Sequence, residues 1–165
     1  MSPEIREHIF IVEDNEIYSM MLDYVLSKES VYKFSNFKTG EECIRNLYQN
    51  PDVVILDYSL PGRNGYEVLQ EIKRYNPDIC VMMLTSNDNK QLEEKLLLAG
   101  ADDYILKKGH GEKQIVEKID FLLSLRDRNE SINAEATRKS LFKRMLYVAL
   151  IVMGVLAGIV FLKIQ

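Results

Sequence analysis

The chain has no tryptophan, and its 165 residues include only two cysteines, two histidines, four prolines and eight glycines. Each scarcity removes a class of reading. Cys43 and Cys80 are too few for a disulfide framework, and both sit among apolar neighbours where a helix or strand face buries them. Two free thiols in a reducing, cytosolic setting are expected. His8 and His110 have no Cys or His at metal-ligand spacing, which argues against a zinc site. With few Gly and Pro, 47% hydrophobic and 28% charged residues, the composition is that of a folded chain rather than a disordered one. No apolar run opens the chain: Pro3, Glu4, Arg6 and Glu7 occupy the place of a signal peptide's core, so the N-terminus is expected to stay in the cytosol. Positive charge is also short in the first 125 residues, about 14 basic against 22 acidic side chains, so no nucleic-acid binding by bulk electrostatics is expected of this part.

What is present is alternation. Ile9 to Val12, Val53 to Leu56, Ile79 to Leu84 and Tyr104 to Leu106 are short apolar runs of the kind buried in parallel sheets, and Val31 to Phe37 is a weaker, alternating strand. Between them the apolar residues adopt helical spacing: Ile17, Met20, Met21, Tyr24 and Val25; Cys43, Ile44 and Leu47; Tyr66, Val68, Leu69 and Ile72; Leu92, Leu96 and Ala99; and last Ile115, Ile119, Leu122 and Leu123. Five strands interleaved with five helices predict a doubly wound parallel α/β sheet, with functional groups gathered at the carboxyl ends of its strands.

The pattern changes after Leu125. Residues 126–144 are polar and charged with no Gly or Pro, and read as a helical or flexible juxtamembrane connector. Met145 to Leu162 carries no charge over about 18 residues, about 27 Å of helix, near the thickness of a bilayer core. A helix apolar on every face needs protein all round it, which one small domain does not offer, so a transmembrane helix is expected. Arg138, Lys139, Lys143 and Arg144 precede the span and only Lys163 follows it, which orients a single-pass, tail-anchored protein with its domain in the cytoplasm. Gly154 and Gly158 share a helix face and would permit a homodimer.

The ends of the strands carry the chemistry. Glu13 and Asp14 follow the first strand, Asp57 ends the third, Thr85 follows the fourth and Lys107 the fifth. Three carboxylates brought together are tolerable at neutral pH mainly around a divalent cation, and oxygen ligands of this kind suit Mg²⁺. A lysine ammonium and a threonine hydroxyl can hold phosphoryl oxygens beside it. Each residue also has a plainer reading: Glu13 and Asp14 with Asn15 as helix-capping groups, Asp57 as a turn residue, Thr85 as a cap, Lys107 as a solvated charge. Their joint occurrence at consecutive strand ends favours the phosphoryl chemistry.

The segments FIVEDNE, VVILDYSLPGRNGYEVL, MLTSND and AGADDYILKK resemble the receiver domain of two-component response regulators over residues 7–125. The resemblance implies a flavodoxin-like sheet of strand order 2-1-3-4-5. It implies that Asp57 is the phosphoacceptor, that Asp14, Asp57 and the backbone carbonyl of Ser59 ligate Mg²⁺, and that Glu13 acts on the metal through water. It also implies that Thr85 and Lys107 bind the phosphoryl group, that Tyr104 swings inward with Thr85, and that Leu60, Pro61, Gly62 and Gly65 form the adjoining loop. The phosphoryl donor would be a sensor histidine kinase or phosphotransfer protein. As no output domain is read after residue 125, the signal would pass to an unknown output protein at the membrane. Enzymatic activity would be at most Mg²⁺-dependent self-phosphorylation and autodephosphorylation. Two departures stand out: Glu13 replaces the commoner aspartate, and Lys108 follows Lys107 where the family typically has a cis proline.

The alternative is a constitutive, membrane-anchored pseudo-receiver adaptor, against which the complete set Glu13, Asp14, Asp57, Thr85 and Lys107 argues. A haloacid-dehalogenase-like phosphatase would need a second acid where Ser59 stands, and a transporter would need polar groups inside the span. Gly158→Ile should weaken self-association of the 145–162 segment in a bilayer reporter assay; unchanged association would remove the Gly154–Gly158 contact.

Overall fold

The computed structural model describes residues 7–28, 32–108 and 112–164, without the side chains of 112, 113, 130 and 150–164. Two compact units result, Met1–Arg126 and Asp127–Gln165. The first is built on β1 (Glu7–Val12), β2 (Tyr32–Phe37), β3 (Val53–Asp57), β4 (Cys80–Thr85) and β5 (Asp103–Leu106), with α1 (Glu16–Ser27), α2 (Gly40–Asn46), α3 (Gly65–Tyr75), α4 (Lys90–Leu98) and the start of α5 (Glu112–Ile164). All strand pairs are parallel, in the order β2-β1-β3-β4-β5. This is the expected flavodoxin-like sheet.

Burial follows from the period of two along a strand, which sends successive side chains to opposite faces. One layer holds Ile9, Ile11, Ile55, Met82 and Ile105 against Leu22 and Leu26 of α1 and Ile115 and Ile119 of α5. The other holds Phe10, Val12, Val54, Leu56, Val81 and Met83 against Cys43, Val68, Leu69, Ile72 and Leu96. β3 and β4 are buried throughout, as continuous apolar runs covered on both faces must be. Cys43 and Cys80 are buried free thiols whose pKa values burial pushes up to about 12 and about 11, keeping them protonated and inert.

The helical face expected of α1 needs correction. Of the expected stripe, Val25 is buried and Met21 packs on the core, but Ile17, Met20 and Tyr24 are 81%, 69% and 59% exposed, while Leu22 and Leu26, outside that stripe, are buried with Tyr18 beside them. The helix carries apolar residues on two faces, and hydrophobic spacing alone does not say which one docks on the sheet.

The second unit is helical over residues 127–164. The expected span at 145–162 falls mostly on residues 150–164, whose side chains, with Gly154 and Gly158, lie outside the described set. Among the described residues no helix is long and apolar enough to cross a membrane. His110 and Val31 also lie outside the described residues.

Helix α3 starts immediately beside the end of β3. Asn64 caps it, its side chain accepting from Glu67 N at 3.1 Å while the Glu67 carboxylate accepts from Asn64 N at 3.1 Å. This reciprocal capping box contributes on the order of 1 kcal/mol. Gly65 then lies so close to β3 that a Cβ there would meet the Asp57 carbonyl oxygen at 2.3 Å and Tyr58 Cα at 2.7 Å. Both are backbone atoms and cannot turn away. Gly65→Ala should therefore destabilise the fold by about 1–3 kcal/mol, measured by urea unfolding.

Candidate functional site

The carboxyl ends of β1, β3, β4 and β5 bring the strand-end residues together. Glu13 directly follows β1, and its backbone N donates to Phe37 O at 3.0 Å, which continues the β1–β2 pairing at the carboxyl ends of the strands. Asp57 is the last residue of β3, and the next residue, Tyr58, donates its N–H to Leu84 O at 2.8 Å. Thr85 closes β4, and Lys107, just past β5, donates its backbone N–H to Thr85 O at 2.8 Å.

Ligand oxygens of Glu13, Asp14 and Asp57 all lie within 4.8 Å of one another, with Glu13 and Asp57 buried and Asp14 exposed. The Lys107 ammonium sits between the two buried acids, 2.6 Å from Glu13 Oε2 and 3.0 Å from Asp57 Oδ1. Neither oxygen takes a properly angled hydrogen bond. The other Glu13 oxygen, Oε1, accepts from Asn15 N at 3.2 Å. Burial raises the Glu13 pKa above its ordinary value; the Lys107 contact opposes this and the neighbouring Asp57 charge adds to it. Three carboxylates against one ammonium leave a formal excess of two negative charges.

These features fit a divalent cation. The donor set is all oxygen, two buried oxygens lack hydrogen bonds, and the charge deficit is that of one doubly charged ion. Ser59 is exposed on the bend two residues beyond Asp57.

Thr85 is buried, and its hydroxyl oxygen accepts from Asn87 N at 3.0 Å. Tyr104 packs against the α3–α4 side of the core, and its hydroxyl donates to Asn87 O at 3.2 Å. The two expected switch residues are thus tied to the same backbone residue. The Lys107–Lys108 peptide is trans, as are all those described, so the departure from proline is accompanied by an ordinary peptide geometry.

Sequence reasoning missed one participant, Tyr18, and read Asn15 correctly as a capping residue. Tyr18, in the first turn of α1, places its ring under the Lys107 ammonium, 4.8 Å from nitrogen to ring centroid. Asn15 caps that turn by accepting from Tyr18 N at 3.0 Å. The available signal was distance along the chain, since an aromatic one helical turn past the acidic pair lies on the side of the helix that meets the strand ends.

The family model of the response regulator receiver domain matches residues 9–120. The chain is 32% identical over 117 residues to the response regulator SaeR of Staphylococcus aureus, covering 71% of this chain and 50% of that protein. It is 36% identical over 99 residues to a cyclic di-GMP phosphodiesterase of Thermotoga maritima, covering 60% of this chain and 26% of that one. The chain thus spans half or less of these curated relatives. A solved structure of a CheY-like response regulator receiver domain protein from Methanospirillum hungatei superposes with a TM-score of 0.68 at 25% identity, covering 74% of this chain and 98% of that one.

The raised Glu13 pKa has a definite sign for stability. The protonated form favours folding fully below the ordinary value of 4.5, and that contribution is lost as pH rises through the raised folded-state value. In EDTA, Glu13→Gln should therefore unfold at higher urea than the wild type at pH 7, the gap closing toward pH 4. A less stable variant at pH 7 would mean that the Lys107 contact outweighs burial.

Proposed function

The chain belongs to the response regulator receiver-domain family, and on that premise we propose that it is a phosphoacceptor switch whose acceptor is Asp57. The observation that carries this reading is the Lys107 ammonium held between buried Glu13 and Asp57 beside the Thr85 strand end. Structural burial alone gives no reason to crowd like charges. An acceptor carboxylate needs a cation to bring an anionic phosphoryl group close, and a mobile ammonium to follow that group's oxygens.

The donor is the phosphohistidine of a sensor histidine kinase or a phosphotransfer protein. An Asp57 oxygen forms a bond to phosphorus while the phosphorus–nitrogen bond breaks, its electron pair returning to the imidazole ring. Glu13, Asp14, Asp57 and the Ser59 carbonyl would hold Mg²⁺, which offsets charge on the phosphoryl oxygens. Lys107 and the Thr85 hydroxyl bind the transferred group. Drawing Thr85 inward weakens its bond to Asn87 N and frees the Asn87 carbonyl that anchors Tyr104, shifting a pre-existing equilibrium of the face formed by α4, β5 and α5. The same site supports, at most, Mg²⁺-dependent self-phosphorylation and autodephosphorylation at Asp57.

The division of the chain follows from sequence: a receiver over 7–125, a charged connector over 126–144 and a single-pass membrane helix over 145–162, with the receiver in the cytoplasm and the output passed to a protein partner. The apolar run and the basic residues Arg138, Lys139, Lys143 and Arg144 before it support that placement. Retention of the full chain in membranes after alkaline extraction, and its loss on replacing Val152 and Val155 by Lys, is the expected result.

Incubation of the full chain with Mg²⁺ and acetyl phosphate should add one hydroxylamine-labile phosphoryl group, absent from Asp57→Asn and from samples in EDTA. No adduct on the wild type would favour a constitutive adaptor. The switch itself predicts a change in the Tyr104 ring resonances on phosphorylation that Thr85→Ala abolishes while the adduct still forms.

A further inference from the structure

The Lys107 ammonium meets two acids, Glu13 and Asp57, and among the described residues it has a further partner that is not an acid. That partner is the face of the Tyr18 ring, at 4.8 Å from the nitrogen to its centroid. We propose that Tyr18 is a positioning residue for phosphoryl transfer: its ring holds the Lys107 ammonium at the phosphoacceptor, an inference that rests on the reading of Asp57 given above.

The placement of the ring is built rather than incidental. The segment Glu13 to Tyr18 is organised by two hydrogen bonds, Asn15 N to Glu13 Oε1 at 3.2 Å and Tyr18 N to Asn15 Oδ1 at 3.0 Å. One fixes the carboxylate and the other fixes the turn from which the ring projects. The ring packs against the core cluster that includes Leu22, Ile55, Leu84 and Ile105, so it is backed by apolar side chains.

The interaction has a specific use. When a cation occupies the carboxylates, Lys107 loses part of the attraction of Glu13 and Asp57 and must remain near the site until a phosphoryl group arrives. An aromatic face attracts an ammonium through its quadrupole without taking a place among the metal ligands and without competing as an anion for the phosphoryl group. The Tyr18 hydroxyl is held protonated, its pKa pushed up to about 12 by burial and then by the nearby Glu13 and Asp57 charges, so the ring presents a neutral π face. A carboxylate in the same place would trap the ammonium, and an aliphatic group would shield it without attracting it.

The test compares wild type, Tyr18→Phe and Tyr18→Leu as full chains in detergent micelles, with two readouts. In the Mg²⁺-free protein, the ε-methylene protons of Lys107 should show an upfield ring-current shift in the wild type and Tyr18→Phe that is lost in Tyr18→Leu. At saturating Mg²⁺, the rate constant for phosphorylation by acetyl phosphate should fall about fivefold in Tyr18→Leu and stay within about twofold in Tyr18→Phe, the size expected for one partly desolvated cation–π contact. The Mg²⁺ dissociation constant should be the same in all three. Equal methylene shifts in all three proteins, or a Tyr18→Leu rate equal to the wild type, overturns the role of Tyr18 while leaving Asp57 as acceptor. A Tyr18→Phe rate as low as that of Tyr18→Leu also overturns it, since the ring would then not be the active part. A wild type that takes no phosphoryl group but keeps the ring-current shift overturns the Asp57 reading, and with it the positioning role, even though the contact itself exists.

Discussion

Two carboxylates taken out of water beside each other can both stay ionised only if something positive is held between them, and in this domain that group is the Lys107 ammonium. Glu13 comes from the end of β1 and Asp57 from the end of β3, while Lys107 comes from beyond β5. With the sheet ordered β1-β3-β4-β5, the lysine side chain has to reach across the end of β4, where Thr85 stands. The charge balance of the pocket therefore depends on the relative positions of four strand ends. Anything that changes the charge on Asp57 changes the force on a side chain rooted two strands away. This separates the site from an ordinary surface ion pair such as Lys38–Glu16, whose partners are largely exposed and whose loss would move nothing else.

The same pocket is balanced in sign but not in amount. One ammonium cannot offset three acids, and Asp14 stays at the surface, where water carries part of its charge. Glu13 and Asp57 are the buried pair, and the raised Glu13 pKa records the cost of keeping it charged there. An arrangement that holds stability back at neutral pH is expected where function needs charge. The lengthened side chain of glutamate at position 13 contributes to the compromise: it reaches Lys107 at 2.6 Å with one oxygen and the α1 cap at Asn15 with the other.

Most of the fold was legible because buried parallel strands write themselves as unbroken apolar runs. Val53 to Leu56 and Ile79 to Leu84 needed only their composition, and the strand-end acids needed only the rule that such sheets carry chemistry at their carboxyl ends. The face of α1 was misread for a physical reason. Met21 and Val25 of the expected stripe do face the core, but Ile17, Met20 and Tyr24 do not and Leu22 and Leu26 do, because the orientation of the helix is decided by the sheet rather than by the helix. Tyr18 falls outside the expected stripe altogether, and it packs against the core on one side. Its other side faces a lysine distant in sequence, a contact that depends on tertiary structure. Asn87 was legible only as a loop polar residue, because its contribution comes from its backbone, and a backbone group leaves no mark on residue identity.

That backbone contribution bears on how a change at Asp57 would travel. Thr85 accepts from the Asn87 N–H, and Tyr104 donates to the Asn87 carbonyl, so one residue of the β4–α4 connection carries a hydrogen bond from each switch residue. In the proposed switch, a phosphoryl group that draws the Thr85 hydroxyl toward it competes with the bond to Asn87 N. When that bond lengthens, the loop is released on one side, and the carbonyl that anchors Tyr104 is free to turn. Tyr104 is then held only by packing against the apolar groups of the α3–α4 layer, among them Leu92 and Leu96, and the inward rotamer becomes competitive. The transmission requires no long chain of contacts, only two hydrogen bonds of ordinary strength, each about 1 kcal/mol, sharing one residue. Energies of that size cannot lock the domain in either state, and this suits a switch whose two forms must stay in equilibrium until a partner binds one of them.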